Sequence, residues 1–325
     1  MIPILEAGSR RFDRSRWNQP VIFLIPTRLI VQILARSTEL PTFSDRLRRL
    51  KLGYETETLM VKLIAVDLDG TLFTSEGVVE PEGLDALRRA SSNGVRIVVA
   101  TARRFIPSDS TYRNLGFPDP IICWDGAETY HSHEREILDS RPIPLTVARE
   151  VLQLADTEDF LMSVGYSSAL FWKRRPGQSG PPSGGITFTE SYFETLKAGL
   201  PLRLLTDDVN ALRILPELCS GFPDNSCRVQ AYVDSSDTVR SLGIYSAGTS
   251  KGKALELVCE KLEIAPEDGM AIGDNWSDKP MLDFAGIGVI MGNAPADMKS
   301  RGEHVAPTND DQGVRWAVEE FVVSA

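Results

Sequence analysis

The chain has 325 residues, which at about 150 residues per domain sets an expectation of two domains. Apolar residues make up 42% and charged residues 25%, the balance of a folded globular protein and not of a disordered or collagen-like one. The net charge of −10, from 35 Lys and Arg against 45 Asp and Glu, argues against nucleic acid or an anionic membrane as partner, since both need a cationic face. A small phosphorylated ligand needs only a few local cations and stays open.

Residues 1–59 hold ten cations against six acids, while the remainder holds 25 against 39. This split marks 1–59 as a separate basic extension, poorly ordered. Val21 to Leu34 is apolar but broken by Pro26, Thr27 and Arg28, too short for the ~20 residues of a membrane span. No small-residue cleavage site follows it. An Arg-rich transit peptide or an upstream start codon, with Met60 as the working start, are the other readings.

From Met60 the text alternates between strand and helix. Lys62–Val66 is a short apolar run ending at Asp67, a buried strand. A helix starts at Pro81 and stops at Asn93-Gly94, and Val95–Ala100 and Pro120–Trp124 are further buried strands. Strands of this kind separated by helices predict a parallel sheet covered on both faces. The middle differs: a helix over Leu145–Ala155 precedes strands at Phe160–Val164 and Ala169–Lys173. Nine of the eleven residues of Arg175–Gly185 are Gly, Pro or Ser, a flexible loop. Strands are expected at Ile186–Thr189, Ala211–Leu215, Arg228–Val233 and Arg240–Tyr245, with a helix near Pro216–Cys219. The first rhythm then resumes: helix Lys251–Leu262, strand Gly269–Ile272, helix Pro280–Ala285, strand Gly288–Met291 and helix Gly313–Val322. The fold class is therefore α/β, a doubly wound parallel-sheet core over 60–140 and 246–325, with an α+β cap inserted at 141–245.

The four cysteines, Cys123, Cys219, Cys227 and Cys259, form no CxxC pair, so reduced thiols in a cytoplasmic enzyme are expected. His131 and His133 read either as a metal pair on one strand face or as part of a solvated hairpin, and the hairpin is the favoured reading.

The chemistry concentrates at strand ends. Asp67-Leu68-Asp69-Gly70-Thr71 places two carboxylates two residues apart where a buried strand ends, and Gly70 permits a sharp turn. Residues i and i+2 of an extended chain face the same way, so both acids can meet one reacting group. A calcium loop does not fit, because its Gly stands sixth and Gly70 stands fourth. Thr101 ends the second strand with a hydroxyl, Lys251 opens a helix with a cation, and Asp274 and Asp278 end another strand. Four acids gathered at one edge need a cation, and oxygen-only donors argue for Mg²⁺.

These residues resemble the haloacid dehalogenase superfamily, and within it the Cof-type phosphatases with a large cap. The ordered motifs run from Asp67 through Thr101, Lys251 and Asp274 to Met291-Gly292-Asn293-Ala294 and Asn309-Asp310-Asp311-Gln312-Gly313-Val314. The resemblance implies Asp67 as nucleophile, forming an aspartyl-phosphate, and Asp69 as acid to the leaving group and then base to water. It implies Thr101 and Lys251 as phosphoryl binders. It implies Asp67, the Asp69 main-chain carbonyl and Asp274 as Mg²⁺ ligands, with Asp278 in or behind that shell. The implied activity is hydrolysis of a small phosphorylated metabolite, a sugar phosphate for choice. A phosphomutase on the same fold and a non-catalytic phosphometabolite-binding protein are the rival readings.

Two positions depart from the family pattern. Ser277 stands where Asn is common, and Asp125 replaces the Asn of an Asn-Gly-Ala strand end. Asp125 is either neutral drift or an acid that favours a substrate bearing hydroxyls or an amine. Lys253 reads as a solvated rival to Lys251, and Arg103 as a phosphate ligand or the partner of an acid.

Overall fold

The computed structural model describes residues 61–105, 110–131, 136–174, 185–223, 226–234, 236 and 238–323. The basic extension, His133 and most of the Gly/Pro/Ser-rich stretch lie outside them.

The apolar run after Met60 forms β1 (Leu63–Val66), every residue of it buried. It lies between β2 (Arg96–Ala100) and β12 (Gly269–Gly273), parallel to both, with Ala65 opposite Val98 and Ala271. Beyond β2 come β3 (Ile121–Cys123) and the antiparallel hairpin β4 (Glu128–Tyr130) and β5 (Ile137–Ser140). Beyond β12 come β13 (Ile287–Ile290) and β14 (His304–Val305), so eight strands run β14-β13-β12-β1-β2-β3-β4-β5.

Alternation along β1 divides its side chains between two cores. Ile64 and Val66 pack with Ala86, Leu87 and Ala90 of α1 (Pro81–Ser92), and with Val314 and Ala317 of the later helix Gly313–Val318. Leu63 and Ala65 pack on the other face with Ala254, Leu255 and Val258 of the helix Lys251–Leu262 and with Met281. Both faces being covered explains why these strands read as uninterrupted apolar runs. The first helix begins as its sequence predicts: Pro81 takes the first position, and the Glu80 carboxylate accepts from the main-chain N–H groups of Glu82 and Gly83.

A second sheet, in the order β10-β11-β9-β6-β7-β8, occupies the middle of the chain. Its strands are β6 (Met162–Gly165), β7 (Leu170–Trp172), β8 (Ile186–Phe188), β9 (Arg203–Thr206), β10 (Cys227–Val233) and β11 (Val239–Ser246). All neighbours are antiparallel except β7 and β8. One face, with Val164, Leu204 and Ile244, packs under two helices, Leu145–Thr157 and Val209–Ser220. The opposite face meets the first domain, where Leu170 and Tyr245 join the cluster of Phe105, Trp124 and Tyr130.

The expected strand at Ala211–Leu215 is part of that second helix. Asp208 caps it, its carboxylate accepting from the Asn210 and Ala211 N–H groups, and Ala211, Leu215 and Cys219 share its buried face at helical spacing. The helix expected near Pro216–Cys219 is its later half, with Pro216 inside it. A strand that the sequence reading does not expect lies just before, at β9, and β4, β5 and β14 are likewise not expected. The last helix stops at Val318 and continues as a wider π turn over Glu319–Val323. Among the described residues no helix is long and apolar enough to cross a membrane. The four cysteines are unbridged.

Candidate active site

Four structural elements deliver side chains to one edge of the parallel sheet, at the carboxyl ends of β1, β2 and β12, where open α/β sheets bind ligands. Asp67 follows β1, its N–H still donating to Ile272 O at 3.1 Å. The chain then leaves the strand through Gly70, whose φ of +82° lies in the left-handed region. A Cβ at Gly70 would run into the Asp274 carboxylate, so glycine lets two loops touch. Thr101 caps β2, fully buried, its N–H donating to Ile122 O at 2.8 Å. Asp274 and Asp278 follow β12. Lys251 is the first residue of the helix Lys251–Leu262, and the Ser250 hydroxyl caps that helix by accepting from Lys253 N–H.

Lys251 is 2% exposed, and its Nζ donates to Asp67 Oδ1 and to Asp278 Oδ1, both at 2.6 Å. The other oxygen of Asp278 accepts from the main-chain N–H groups of Asp274 at 3.0 Å and Asn275 at 2.9 Å. Carboxylate oxygens of Asp67, Asp274 and Asp278 all lie within 4.8 Å of one another. Around Asp274 the Thr71 hydroxyl donates at 3.4 Å. The Asn293 amide donates to Gly70 O at 2.8 Å and to Asp274 Oδ2 at 3.4 Å. Asn293 in turn accepts from Asn309 N–H at 3.0 Å, which ties two more loops to this edge.

Three carboxylates, Asp67 and Asp278 buried and Asp274 half-buried, face a single ammonium, and the imbalance shows at Asp67 and Asp274. Burial pushes the Asp67 carboxyl well above its ordinary range, with Asp278 and Asp274 adding to the rise and Lys251 opposing it. Asp274 is pushed up to about 7 by burial and by Asp278. Burial by itself would lower the Lys251 ammonium, but Asp278, Asp67 and Asp125 outweigh it and hold it well above its usual value. Acids this reluctant to ionise need a cation, and an all-oxygen donor set fits Mg²⁺.

Asp69 is placed differently from the expectation drawn from the i, i+2 spacing. Its carboxylate turns to the solvent side and is gripped by Arg103, Nε to Oδ2 at 2.7 Å and Nη2 to Oδ1 at 2.5 Å. The turn through Gly70 ends the extended geometry on which a shared direction depends. The Arg103 guanidinium lies 4.8 Å from the Phe73 ring centre, and its main-chain N–H donates to Thr101 Oγ1 at 3.1 Å. Arg103 thus takes the second of its two expected roles, the partner of an acid. Lys253 lies outside, paired with Glu256 at 2.6 Å. Ser277 is buried close to Asp278.

The inner face of the second sheet brings residues that carry no motif. Arg228, Tyr232 and Tyr245 approach Asp125, and Arg203 approaches Trp124. Strand alternation puts Arg228, Gln230 and Tyr232 on one side of β10, the signal in the sequence that marks them as a polar face. Asn275 Nδ2 also donates to Val233 O at 3.1 Å, linking the β12 loop to β10.

The family model of the haloacid dehalogenase-like hydrolases matches residues 64–318. The chain is 28% identical over 270 residues to a pyridoxal phosphate phosphatase of Escherichia coli, covering 79% of this chain and 97% of that protein. It is 27% identical over 272 residues to a 5-amino-6-(5-phospho-D-ribitylamino)uracil phosphatase of Bacillus subtilis, covering 84% and 100%. A solved phosphatase of the same superfamily from Bacteroides thetaiotaomicron superposes with a TM-score of 0.68 at 26% identity, over 84% of this chain and 99% of that one. With a doubly wound core, an inserted cap and this match over most of its length, the chain belongs to the haloacid dehalogenase superfamily, among its Cof-type phosphatases, and is a hydrolase of phosphoric monoesters.

Proposed function

We propose that the protein is a Mg²⁺-dependent phosphatase of a small phosphorylated metabolite, a sugar phosphate for choice, working through an aspartyl-phosphate at Asp67. The observation that carries this reading is the buried contact of Lys251 with Asp67 and Asp278, 2.6 Å each, at the edge where three parallel strands end.

Lys251 occupies Asp67 Oδ1, which leaves Oδ2 to attack phosphorus. As that bond forms, the ester P–O bond breaks, and the leaving oxygen takes a proton from Asp69. Asp69 then removes a proton from water, which attacks phosphorus, and the acyl phosphate opens to free phosphate and the Asp67 carboxylate. A carboxylate is a weakly basic nucleophile and therefore a good leaving group in the second step. Thr101 and Lys251 receive the phosphoryl oxygens. A carboxylate held through both oxygens by Arg103 carries no proton, so that clamp orients the ionised Asp69 that takes the proton from water, and Asp69 serves as the acid when it is protonated from solvent and released from Arg103. Asp67 and Asp274, with the Asp69 carbonyl and with Asp278 behind them, hold Mg²⁺, which supplies charge neutralisation to a carboxylate meeting a phosphate dianion. The relatives' substrates, pyridoxal phosphate among them, support a small phosphorylated metabolite. Four unbridged thiols fit a cytoplasmic enzyme.

A phosphate-release screen over sugar phosphates, nucleotides and cofactor phosphates tests the reading, with Asp67→Asn as control. Mg²⁺-dependent release by the wild type and none by the variant is expected. Release undiminished in the variant, or phosphate exchange between isomers without release, contradicts it.

A further inference from the structure

The turn after β3 touches the inner face of the second sheet, and buried polar groups there lack partners. Trp124, Asp125 and Gly126 all have positive φ, +50°, +56° and +91°. For the two non-glycine residues this conformation costs about 1–2 kcal/mol each, so the surroundings must hold it. Gly126 packs against the Ser250 carbonyl, leaving no room for a Cβ, and Asp125 N–H donates to Thr101 O at 3.1 Å. The turn therefore sits directly against the residues proposed to bind the phosphoryl group.

The Asp125 side chain is 1% exposed. Its Oδ2 accepts from the Tyr232 hydroxyl at 2.8 Å and lies 3.8 Å from Arg228 Nη2, while its Oδ1 has no hydrogen-bond partner. The Arg228 guanidinium lies 4.8 Å from the Tyr245 ring centre, and Nη1 donates to Gln230 Oε1 at 2.6 Å. Nε and Nη2 of Arg228, the two donors of one guanidinium edge, are buried without an acceptor. Arg203 lies 4.6 Å from the Trp124 ring centre and donates through Nη1 to Ala102 O at 2.9 Å, with Nε also buried and unmet.

Buried polar groups are almost always paired, and each one left unpaired costs about 1–3 kcal/mol. Here one acceptor and three charged donors go unmet beside the phosphoryl site. The Nε–Nη2 edge of a guanidinium matches two oxygens of a carboxylate or a phosphate. The two guanidinium groups also outnumber the one carboxylate between them. We infer that Arg228, Arg203 and Asp125 form the subsite for the substrate's leaving group, and that this group carries a second anion, carboxylate or phosphate, beside a hydroxyl. The anion lies on the Arg228 edge, Arg203 adds charge, and the hydroxyl donates to Asp125 Oδ1. This rests on the phosphatase reading and narrows its substrate class.

Calorimetric titration of the Asp67→Asn protein, which does not consume esters, separates the possibilities with two matched pairs: 6-phosphogluconate against glucose 6-phosphate, and fructose 1,6-bisphosphate against fructose 6-phosphate. In at least one pair the ester with the second anion should bind ~10-fold or more tightly than its partner, the worth of one charge-assisted contact. The pair that shows it tells carboxylate from phosphate. Arg228→Gln in the same background should remove the advantage, and Arg228→Lys, keeping charge without the fork, should retain part of it. Equal affinities within both pairs overturn the subsite, as does an advantage that survives Arg228→Gln in protein whose melting curve shows it folded; Arg228 and Asp125 would then only fasten the two sheets together. Turnover of p-nitrophenyl phosphate by the wild type reports on the phosphatase reading separately. Turnover without an anion advantage removes the subsite and keeps the phosphatase, and an anion advantage without turnover does the reverse.

Discussion

Lys251 Nζ stands 2.6 Å from Asp67 Oδ1, and both side chains are sealed from solvent, 2% and 6% exposed. A buried pair of this kind is expensive to break, because removing one partner strands the other; losses of about 3–5 kcal/mol are typical. Lys251→Met leaves Asp67, Asp274 and Asp278 with no counter-charge. The variant should lose turnover and melt well below the wild type in metal-free buffer, and Mg²⁺ should recover more stability in the variant than in the wild type. Equal melting temperatures in metal-free buffer would show that the three carboxylates do not depend on Lys251.

Arg103 and Asp69 form a two-point clamp at the surface, 41% and 54% exposed. An exposed pair contributes little to stability, about 0–1 kcal/mol. Its worth is orientation, since acid–base catalysis is worth roughly 10²–10⁴ in rate and depends on placement. Arg103→Lys keeps the charge and loses the fork. Its melting temperature should match the wild type, while kcat falls about 10-fold, a part of that acid–base contribution. A melting temperature that drops together with an unchanged kcat would assign the clamp a structural role.

Gly70 and Gly77 share positive φ, +82° and +76°, but only Gly70 faces a neighbour, the Asp274 carboxylate. Alanine at either position should cost about 1–2 kcal/mol from the left-handed backbone. Gly70→Ala should also displace Asp274 and raise the Mg²⁺ concentration for half-maximal turnover. Gly77→Ala should leave that concentration unchanged. Parallel Mg²⁺ titrations of both variants check the difference, and identical curves would separate Gly70 from the metal site.

Asn293 supplies an amide contact to Asp274, 3.4 Å from Nδ2 to Oδ2. Outer contacts of this kind are commonly worth ~10–100-fold in metal affinity or activity. Asn293→Ala should raise the Mg²⁺ requirement by about 10-fold on that scale. Ser277→Asn should lower it little, because Asn293 already holds the loop. A large gain from Ser277→Asn would mean that the familiar Asn is missed after all.

The parallel core was legible because strands buried on both faces are continuous apolar runs that end where polar chemistry begins, as Leu63–Val66 does at Asp67. The Lys251–Leu262 helix follows its expected bounds, since Ser250 caps it and Glu263 closes it in a left-handed turn. Ala211–Leu215 misled because four apolar residues around a single Arg213 fit either period; the deciding signal was Asp208, whose cap starts a helix. The motif residues Asp67, Thr101, Lys251, Asp274 and Asp278 could be named from spacing because each closes a strand or opens a helix at one sheet edge. Arg203, Arg228 and Tyr232 could not, since nothing local to them shows that the cap sheet docks its inner face on Asp125. The direction of Asp69 was equally hidden, because it depends on how the chain turns at Gly70 and on Arg103 waiting there.

The central claim is that phosphoryl transfer passes through Asp67. Wild-type protein mixed with Mg²⁺ and a turned-over phosphate ester, quenched in acid during steady state and reduced with borohydride, tests this directly. Borohydride converts an aspartyl-phosphate to homoserine, which peptide mass spectrometry locates. Homoserine at position 67, absent when ester is omitted, is the result the account predicts. Sustained phosphate release with Asp67 unconverted, or conversion at another carboxylate instead, would contradict it.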